Sequence, residues 1–302
     1  KHNIQFLDID ELKIDSLKKH QPPFFEPELS DYLNNKEILC NISFSSEYKN
    51  IAWDNVDIVM VCVQTPSLEN NQIDTSFVSK VFKSLENYVN DNTVVCIKST
   101  IHPEALEKIF ADSSFDDSRI VFNPEFLREG SAFTDFFQPD RIVIGSTNKE
   151  NADKVGSLYE ELDTEILYTD PISSQLIKYL SNAYLPLRLS FVNEASQIIS
   201  VMGGNLQETL KGIGLDTRIG QNYFRPSPGW GGSCFPKDVA EINSIIKSHN
   251  LISPLISNIN KSNSNHQEWF ADYLINLKNE KIFENIFLIG IAFKDNTDDL
   301  RH

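Results

Sequence analysis

The 302-residue chain is long enough to bury two sizeable cores, and its 40% hydrophobic and 23% charged residues are the mixture of a soluble globular protein. A formal net charge of −16 repels phosphate backbones and anionic membranes, which excludes non-specific nucleic-acid binding and makes any Lys or Arg set against an anionic ligand informative. None of the four cysteines, Cys40, Cys62, Cys96 and Cys234, sits at metal-ligand spacing, and no apolar run is long enough to span a bilayer, so the reading is a cytoplasmic protein without a disulfide framework.

The chain opens at Lys1, without Met, and runs straight into a strand, so it reads as an internal segment of a longer protein. That strand, Asn3–Asp8, is apolar and ends in a carboxylate. In a dinucleotide-binding βαβ unit the second strand ends this way, the acid holding ribose hydroxyls, although a solvent-facing Asp at a strand end is also common. The Gly-x-Gly-x-x-Gly fingerprint expected about 20 residues upstream is not in the sequence. Without the first strand, which would lie centrally in such a sheet, the segment is expected to be poorly stable by itself.

Val56–Val63 is almost continuously apolar, as for a strand buried on both faces of a parallel sheet, and Gln64-Thr-Pro-Ser67 breaks it into a loop at its carboxyl end, where such sheets bind ligands. Thr75–Tyr88 is amphipathic and helix-like, and Thr93–Lys98 is a second buried strand followed by Ser99-Thr100. Thr65 and Thr100 stand equally well as helix caps or as ligand hydroxyls. Arg119–Asn123 is a further strand. Beyond it, Asn123 as cap, Pro124 at the first helical position and Gly130 as terminator predict a short helix that would put Glu125 and Glu129 on one face. Asp140–Gly145 and Glu165–Tyr168 complete the strands.

Asp170-Pro171 opens a helix that Gly203-Gly204 stops near Met202, roughly 45–50 Å long. A helix that long, apolar on more than one side, joins domains or forms a dimer core, and Pro186 is expected to kink it. Lys178 and Asn182 lie one turn apart on one face. Pro228–Asp238 then packs three glycines, a cysteine and Pro-Lys-Asp into eleven residues. Ser233 reads as an N-cap, so Cys234 begins a helix where free N–H groups favour a thiolate, with Asp238 on the same face. Taken alone, Cys234 could be a buried thiol after a turn. With its neighbours it fits a nucleophile on a glycine-cleared loop. Asn285–Lys294 predicts a last buried strand.

Gly-x-Gly-Gly-Ser-Cys-Phe-Pro-Lys-Asp and Asn-Pro-Glu-Phe-Leu-Arg-Glu-Gly resemble the two signatures of the UDP-glucose/GDP-mannose dehydrogenase family. The resemblance implies an α/β chain: a Rossmann-like doubly wound parallel sheet for NAD over 1–170, a helical central dimerisation domain carrying the cysteine loop over 171–280, and from 281 the first strand of a second Rossmann-like domain that binds the UDP-sugar. Ile9–Lys13 and Phe25–Leu29 resemble the loop after the second strand, with Glu28 where the family has glycine. Pro186 stands where a small residue is usual.

Carried over by position, the resemblance gives Cys234, Lys178, Asn182, Asp238, Glu125 and Thr100 catalytic roles. Asp8, Lys13, Thr65, Thr100, Glu129 and Lys237 would serve the cofactor. Phe126, Leu127, Glu129, Lys178, Arg218, Tyr223, Gly231 and Lys294 would contact substrate, Arg218 reaching the site of a neighbouring subunit in a homodimer built on the long helix. The implied reaction oxidises UDP-glucose twice with NAD, through a Cys234 thiohemiacetal and thioester, to UDP-glucuronate. GDP-mannose is the close alternative as substrate, Phe235 favouring UDP-glucose. A hydroxyacid dehydrogenase of similar architecture would not need Cys234, and a non-catalytic dimerisation scaffold would not need Cys234, Lys178, Asp238 and Glu125 together.

Overall fold

The computed structural model describes residues 2–68, 72–102, 104–105, 115–280, 285–287 and 289–300. The chain divides into two units: Lys1–Thr65 with Asp74–Lys178 and Lys294–Asp298, and Pro66–Ile73 with Tyr179–Phe293 and Asp299–His302.

In the first unit, β1 (Ile4–Leu7) and β2 (Ile42–Ser45) pair in parallel. β3 (Ile58–Val61), β4 (Val94–Ile97), β5 (Ile120–Phe122), β6 (Ile142–Gly145) and β7 (Ile166–Thr169) form a five-stranded sheet in chain order. All its pairs are parallel except where Phe122 meets Gly145 in antiparallel register. The period-2 alternation of β4 divides its side chains between two layers. Val95 and Ile97 pack with Val78, Phe82 and Leu85, one face of the helix Ser76–Leu85. Val94 and Cys96 pack on the other side with Ala152 and Val155 of the helix Lys149–Gly156, and with Tyr159. Each such side chain contributes about 1.5–3 kcal/mol by leaving water, so this two-sided burial makes β4 the centre of the unit. Burial also pushes the Cys96 thiol up to about 12.

Three sequence expectations change here. The run 56–63 is not buried on both faces: Met60 is 40% exposed and Cys62 is exposed, because β3 pairs only with β4 and is the edge of its sheet. The stretch after β1 is not all loop, since Glu11–Lys18 is a helix whose N-cap Asp10 accepts from the N–H groups of Leu12 and Lys13 at 3.0 and 3.3 Å. The strand expected over 285–294 falls partly outside the described residues. Among those described it carries no strand and pairs with none, and Phe287, Ile289 and Ile291 are exposed. An apolar run without a neighbour has no partner for its ladder of N–H and C=O groups.

In the second unit the helix Pro171–Val201, whose first two turns belong to the first unit, runs unbroken through Pro186. Gly203 (φ +72°) ends it, and the N–H of Gly204 returns to the Ile199 carbonyl at 2.9 Å. Its buried side passes through three cores, formed by Tyr179 with Ile73, Ile242 and Ile246, by Ala183 with Trp230, Val239 and Ile259, and by Val192 and Ile199 with Leu210 and Phe224. Among the described residues no helix is long and apolar enough to cross a membrane.

Glu28 stands at φ +68° before the helix Leu29–Leu33, exposed and making no side-chain cap. A Cβ in that left-handed region is strained, whereas glycine is not. Glu28→Gly is therefore expected to stabilise the protein by about 0.5–1 kcal/mol after allowing for glycine's greater unfolded-state freedom. A urea midpoint that falls on substitution would contradict this.

Candidate active site

The carboxyl ends of the first unit's strands carry the residues expected to serve a dinucleotide. Asp8 follows β1, its carboxylate accepting from the Asp10 N–H at 2.9 Å and lying 3.4 Å from Lys13, with 42% of the side chain open to solvent. Both oxygens can still take hydroxyl donors, which fits a ribose diol. Thr65 follows β3 and is buried, and Thr100 follows β4 and is half-buried. No helix starts immediately after either of them, so the cap alternative is removed. Ser99 ties these two strand ends together by donating to the Val63 carbonyl at 2.6 Å. Of NAD, the group the resemblance implies, the solvent-open Asp8 carboxylate fits a ribose.

Beyond β5 the predicted short helix does not form, and residues 123–128 carry no helical turn. The side chain of Asn123 is spent elsewhere. Its Nδ2 donates to the Val143 carbonyl at 2.9 Å, and its Oδ1 accepts from Lys98 at 2.9 Å and from the Tyr159 hydroxyl, so it cannot cap. Glu125 and Glu129 consequently do not share a face. Glu125 pairs with Lys178 at 2.8 Å, and the same ammonium takes the Glu125 backbone carbonyl. Glu129 instead faces the 294–298 stretch, with Thr297 at 3.5 Å. The Lys294 ammonium there is pushed below the usual lysine range by burial, an effect Glu129 opposes. Gly130, at φ +78°, lets the backbone turn under Asn296: a Cβ would stand 2.6 Å from the Asn296 carbonyl oxygen. Phe126 packs beneath two cations, Arg141 at 4.1 Å and Lys178 at 5.4 Å from the ring centre, while Leu127 remains 36% exposed.

In the second unit, Cys234 is itself the N-cap of the helix Phe235–Ser248, and Ser233 lies one residue outside it. The Cys234 carbonyl accepts the first helical bond, from Asp238 N–H at 2.9 Å, so the capping position expected for Ser233 is already filled. Ser233 Oγ lies 3.5 Å from the thiol. Asp238 is 1% exposed, and a buried carboxylate needs partners. It takes Asn182 Nδ2 at 2.6 Å and Lys237 Nζ at 2.7 Å. The loop before the thiol is held by side chains that sequence reasoning passed over. Asn263 brackets Trp230, accepting its N–H at 3.0 Å and donating to its carbonyl at 2.8 Å, and the Trp230 indole donates to Ser190 at 3.0 Å. Gly231 is buried beyond them, and Gly232 (φ +84°) lies so close to Phe293 that a Cβ would stand 2.8 Å from its ring. Tyr223 adopts φ +55°, and Arg218 is 87% exposed at its side chain and clamped by Asp216. Lone Asn and Ser residues on helices carry no pattern that would have marked these struts.

The geometry thus brings Glu125 to Lys178 in the first unit and, in the second, Asn182 and Lys237 to Asp238 on the helix that Cys234 caps. Sequence comparison adds two matches, the UDP-glucose/GDP-mannose dehydrogenase family NAD binding domain over residues 1–163 and the family's central domain over 172–265. The UDP-glucose 6-dehydrogenase of Rickettsia felis is 36% identical over 99% of this chain and 68% of its own length, and UDP-glucose 6-dehydrogenase YwqF of Bacillus subtilis is 33% identical over 99% and 69%. Among solved structures, a UDP-glucose dehydrogenase from Pyrobaculum islandicum superposes with a TM-score of 0.87 at 30% identity, covering 99% of this chain and 71% of that one. A GDP-mannose dehydrogenase from Pseudomonas aeruginosa gives 0.68 at 27% identity over 99% and 71%.

Asp135 supports the Glu129 turn: its carboxylate takes the Arg128 N–H and guanidinium, and Ser131. Burial works against its charge, yet the Arg128 bonds prevail and hold its pKa below the ordinary 3.8. A carboxylate depressed in the folded state stabilises above its unfolded pKa, and that stability is lost as pH falls through the folded value. Asp135→Asn is expected to cost about 1–2 kcal/mol at pH 7. Denaturant midpoints of the two proteins should converge as the buffer is taken below pH 3.8, and a gap that stays constant would refute the assignment.

Proposed function

The chain belongs to the UDP-glucose/GDP-mannose dehydrogenase family, and from that membership we propose that it takes UDP-glucose to UDP-glucuronate by two successive NAD-dependent oxidations. The enzyme is an NAD-dependent oxidoreductase. One observation carries it: Cys234 at a helix N-terminus, one turn from the buried Asp238 held by Asn182. A dehydrogenase that stops at the aldehyde has no use for that thiol.

When bound, NAD accepts the hydride in each oxidation. In the first, the hydroxyl proton passes to a water held by Lys178 and Asp238, with Thr100 near the reacting carbon. An aldehyde cannot lose a second hydride until a nucleophile has added. Cys234 sulfur then forms the new C–S bond, and the oxyanion is met by the Lys178 ammonium and the Asn182 amide. Loss of the second hydride leaves a thioester. Water attacks it with Glu125 taking the proton, the C–S bond breaks, and the thiolate is restored alongside the carboxylate product. Lys178 can serve both ends of this sequence because it already touches Glu125 and sits one helical turn from Asn182.

The same reading assigns Asp8, Lys13, Thr65, Glu129 and Lys237 to the cofactor, and Phe126, Leu127, Arg218, Tyr223, Gly231 and Lys294 to substrate. Residues 1–170 form the NAD-binding domain, 171–280 the central domain, and the chain from 281 leads towards the sugar-nucleotide side. GDP-mannose remains the second reading, favoured by the 0.68 superposition on a GDP-mannose dehydrogenase. A homodimer is part of the proposal. Leu180, Tyr184, Phe191 and Ile198 are all exposed and recur at steps of four, seven and seven, so they form one apolar stripe along the long helix.

With the full-length protein, two NADH are expected per UDP-glucose consumed, and Cys234→Ser should lower turnover by roughly a thousandfold or more. One NADH per substrate, or consumption of GDP-mannose alone, would reject the reading. Sedimentation should give a dimer that Phe191→Glu with Ile198→Glu converts to monomer. A wild-type monomer would remove the dimer from the proposal.

A further inference from the structure

Lys98, just past β4, is a half-buried cation to which the proposed chemistry assigns nothing. Its three donors are all committed: Asn123 Oδ1 at 2.9 Å, the Asn123 carbonyl at 3.4 Å and the Tyr159 hydroxyl at 3.4 Å. The ammonium also lies 5.9 Å above the Tyr159 ring. Asn123 is 2% exposed, and its remaining groups are equally fixed, the N–H to the Ile97 carbonyl and Nδ2 to the Val143 carbonyl, both at 2.9 Å. Two residues further on stands Glu125, gripped by Lys178 through both its backbone carbonyl and Oε1. The segment that carries the carboxylate is therefore pinned between two ammonium groups, one at each end.

We infer that Lys98 is a positioning residue for Glu125: its charge-assisted bonds to Asn123 anchor the start of the segment and so keep the carboxylate aimed for the hydrolytic step. The inference rests on the proposed role of Glu125 as the group that activates water. A plain strut could have been built from neutral groups, as Val143 and Tyr159 already show around the same Asn123. Placing a charged amine there, beside Cys62, Cys96, Glu125 and Lys178, costs solvation. Burial lowers the Lys98 pKa, Cys96, Cys62 and Glu125 oppose that in turn, and Lys178 reinforces it.

The test uses full-length protein with UDP-glucose and NAD, resolving both hydride transfers and following the covalent enzyme intermediate by intact mass. Lys98→Met is expected to keep both hydride transfers within about threefold of wild type while the thioester is hydrolysed about tenfold more slowly or worse. The loss should sit in kcat and leave the KM for UDP-glucose within about threefold of wild type. Tyr159→Phe, which leaves the ammonium on Asn123, should hydrolyse the thioester within about threefold of wild type. If Lys98→Met does not fold, Lys98→Arg and Lys98→Gln make the same comparison, hydrolysis being kept where the cation that holds Asn123 is retained and slowed where it is lost. Equal slowing of every step, or unchanged hydrolysis once the amine is gone, would overturn the inference while leaving the Cys234 chemistry intact. A wild-type enzyme that forms no covalent intermediate would remove the premise and the inference with it.

Discussion

Burying the Asp238 carboxylate in the first turn of the cysteine helix is the constraint from which much of the second unit follows. An uncompensated charge there would cost several kcal/mol, so partners must reach it. Part of the compensation comes from position alone, because the free N–H groups and dipole of a helix start favour an anion. Lys237 supplies a neighbouring cation from the same turn, and Asn182 supplies a neutral donor from the long helix. The last of these fixes which face of the long helix meets the cysteine helix, and Tyr179, Ala183 and Val239 then pack around that choice. A purely apolar contact could slip by a turn, whereas one tied to a buried carboxylate cannot do so cheaply.

The first unit solves a related problem in another way. Its chain after Phe122 leaves the sheet without forming a helical turn, and side-chain contacts from Asn123 onward hold it so. Asn123 bonds to Ile97 of β4, to Lys98 just beyond it, to Val143 of β6 and to Tyr159, Glu125 is met by Lys178, and Phe126 lies beneath Arg141. Each side chain that could have capped a helix is already used to prevent one.

That competition explains what was legible in the sequence and what was not. Buried strands such as Val94–Ile97 and Ile142–Gly145 announce themselves as apolar runs, and the long helix does so through Pro171 at one end and Gly203 at the other. The cysteine loop and the acid pair were also visible, because rare residue types stand close together there. Local cap rules misread Asn123 and Ser233, since a cap is assigned from neighbours in sequence while these positions are decided by groups 20 or more residues away or by the next residue's own geometry. Asp10 shows the opposite error, a working cap hidden in a stretch read as loop. The edge position of β3 was invisible for a different reason: strand order is a property of the sheet, and Val56–Val63 reads the same at its centre or its margin. Neutral struts such as Asn263 and Tyr159 leave no periodic signature at all.

The unequal burial of the four cysteines bears on how the protein can be handled chemically. Cys96 is enclosed in β4 with its acidity suppressed, so alkylating reagents at neutral pH will pass it by. Cys40 and Cys62 are exposed as residues, although burial of the Cys62 sulfur itself raises its pKa and makes it the slower of the two to react, and Cys234 is half-buried at its helix start. Loss of activity on treatment with a thiol reagent therefore does not by itself identify the nucleophile, since two surface thiols compete for the label. A chain in which Cys40 and Cys62 are replaced by serine would report on Cys234 alone, with Cys96 silent inside the sheet, and so offers a clean background for trapping whatever the loop thiol binds.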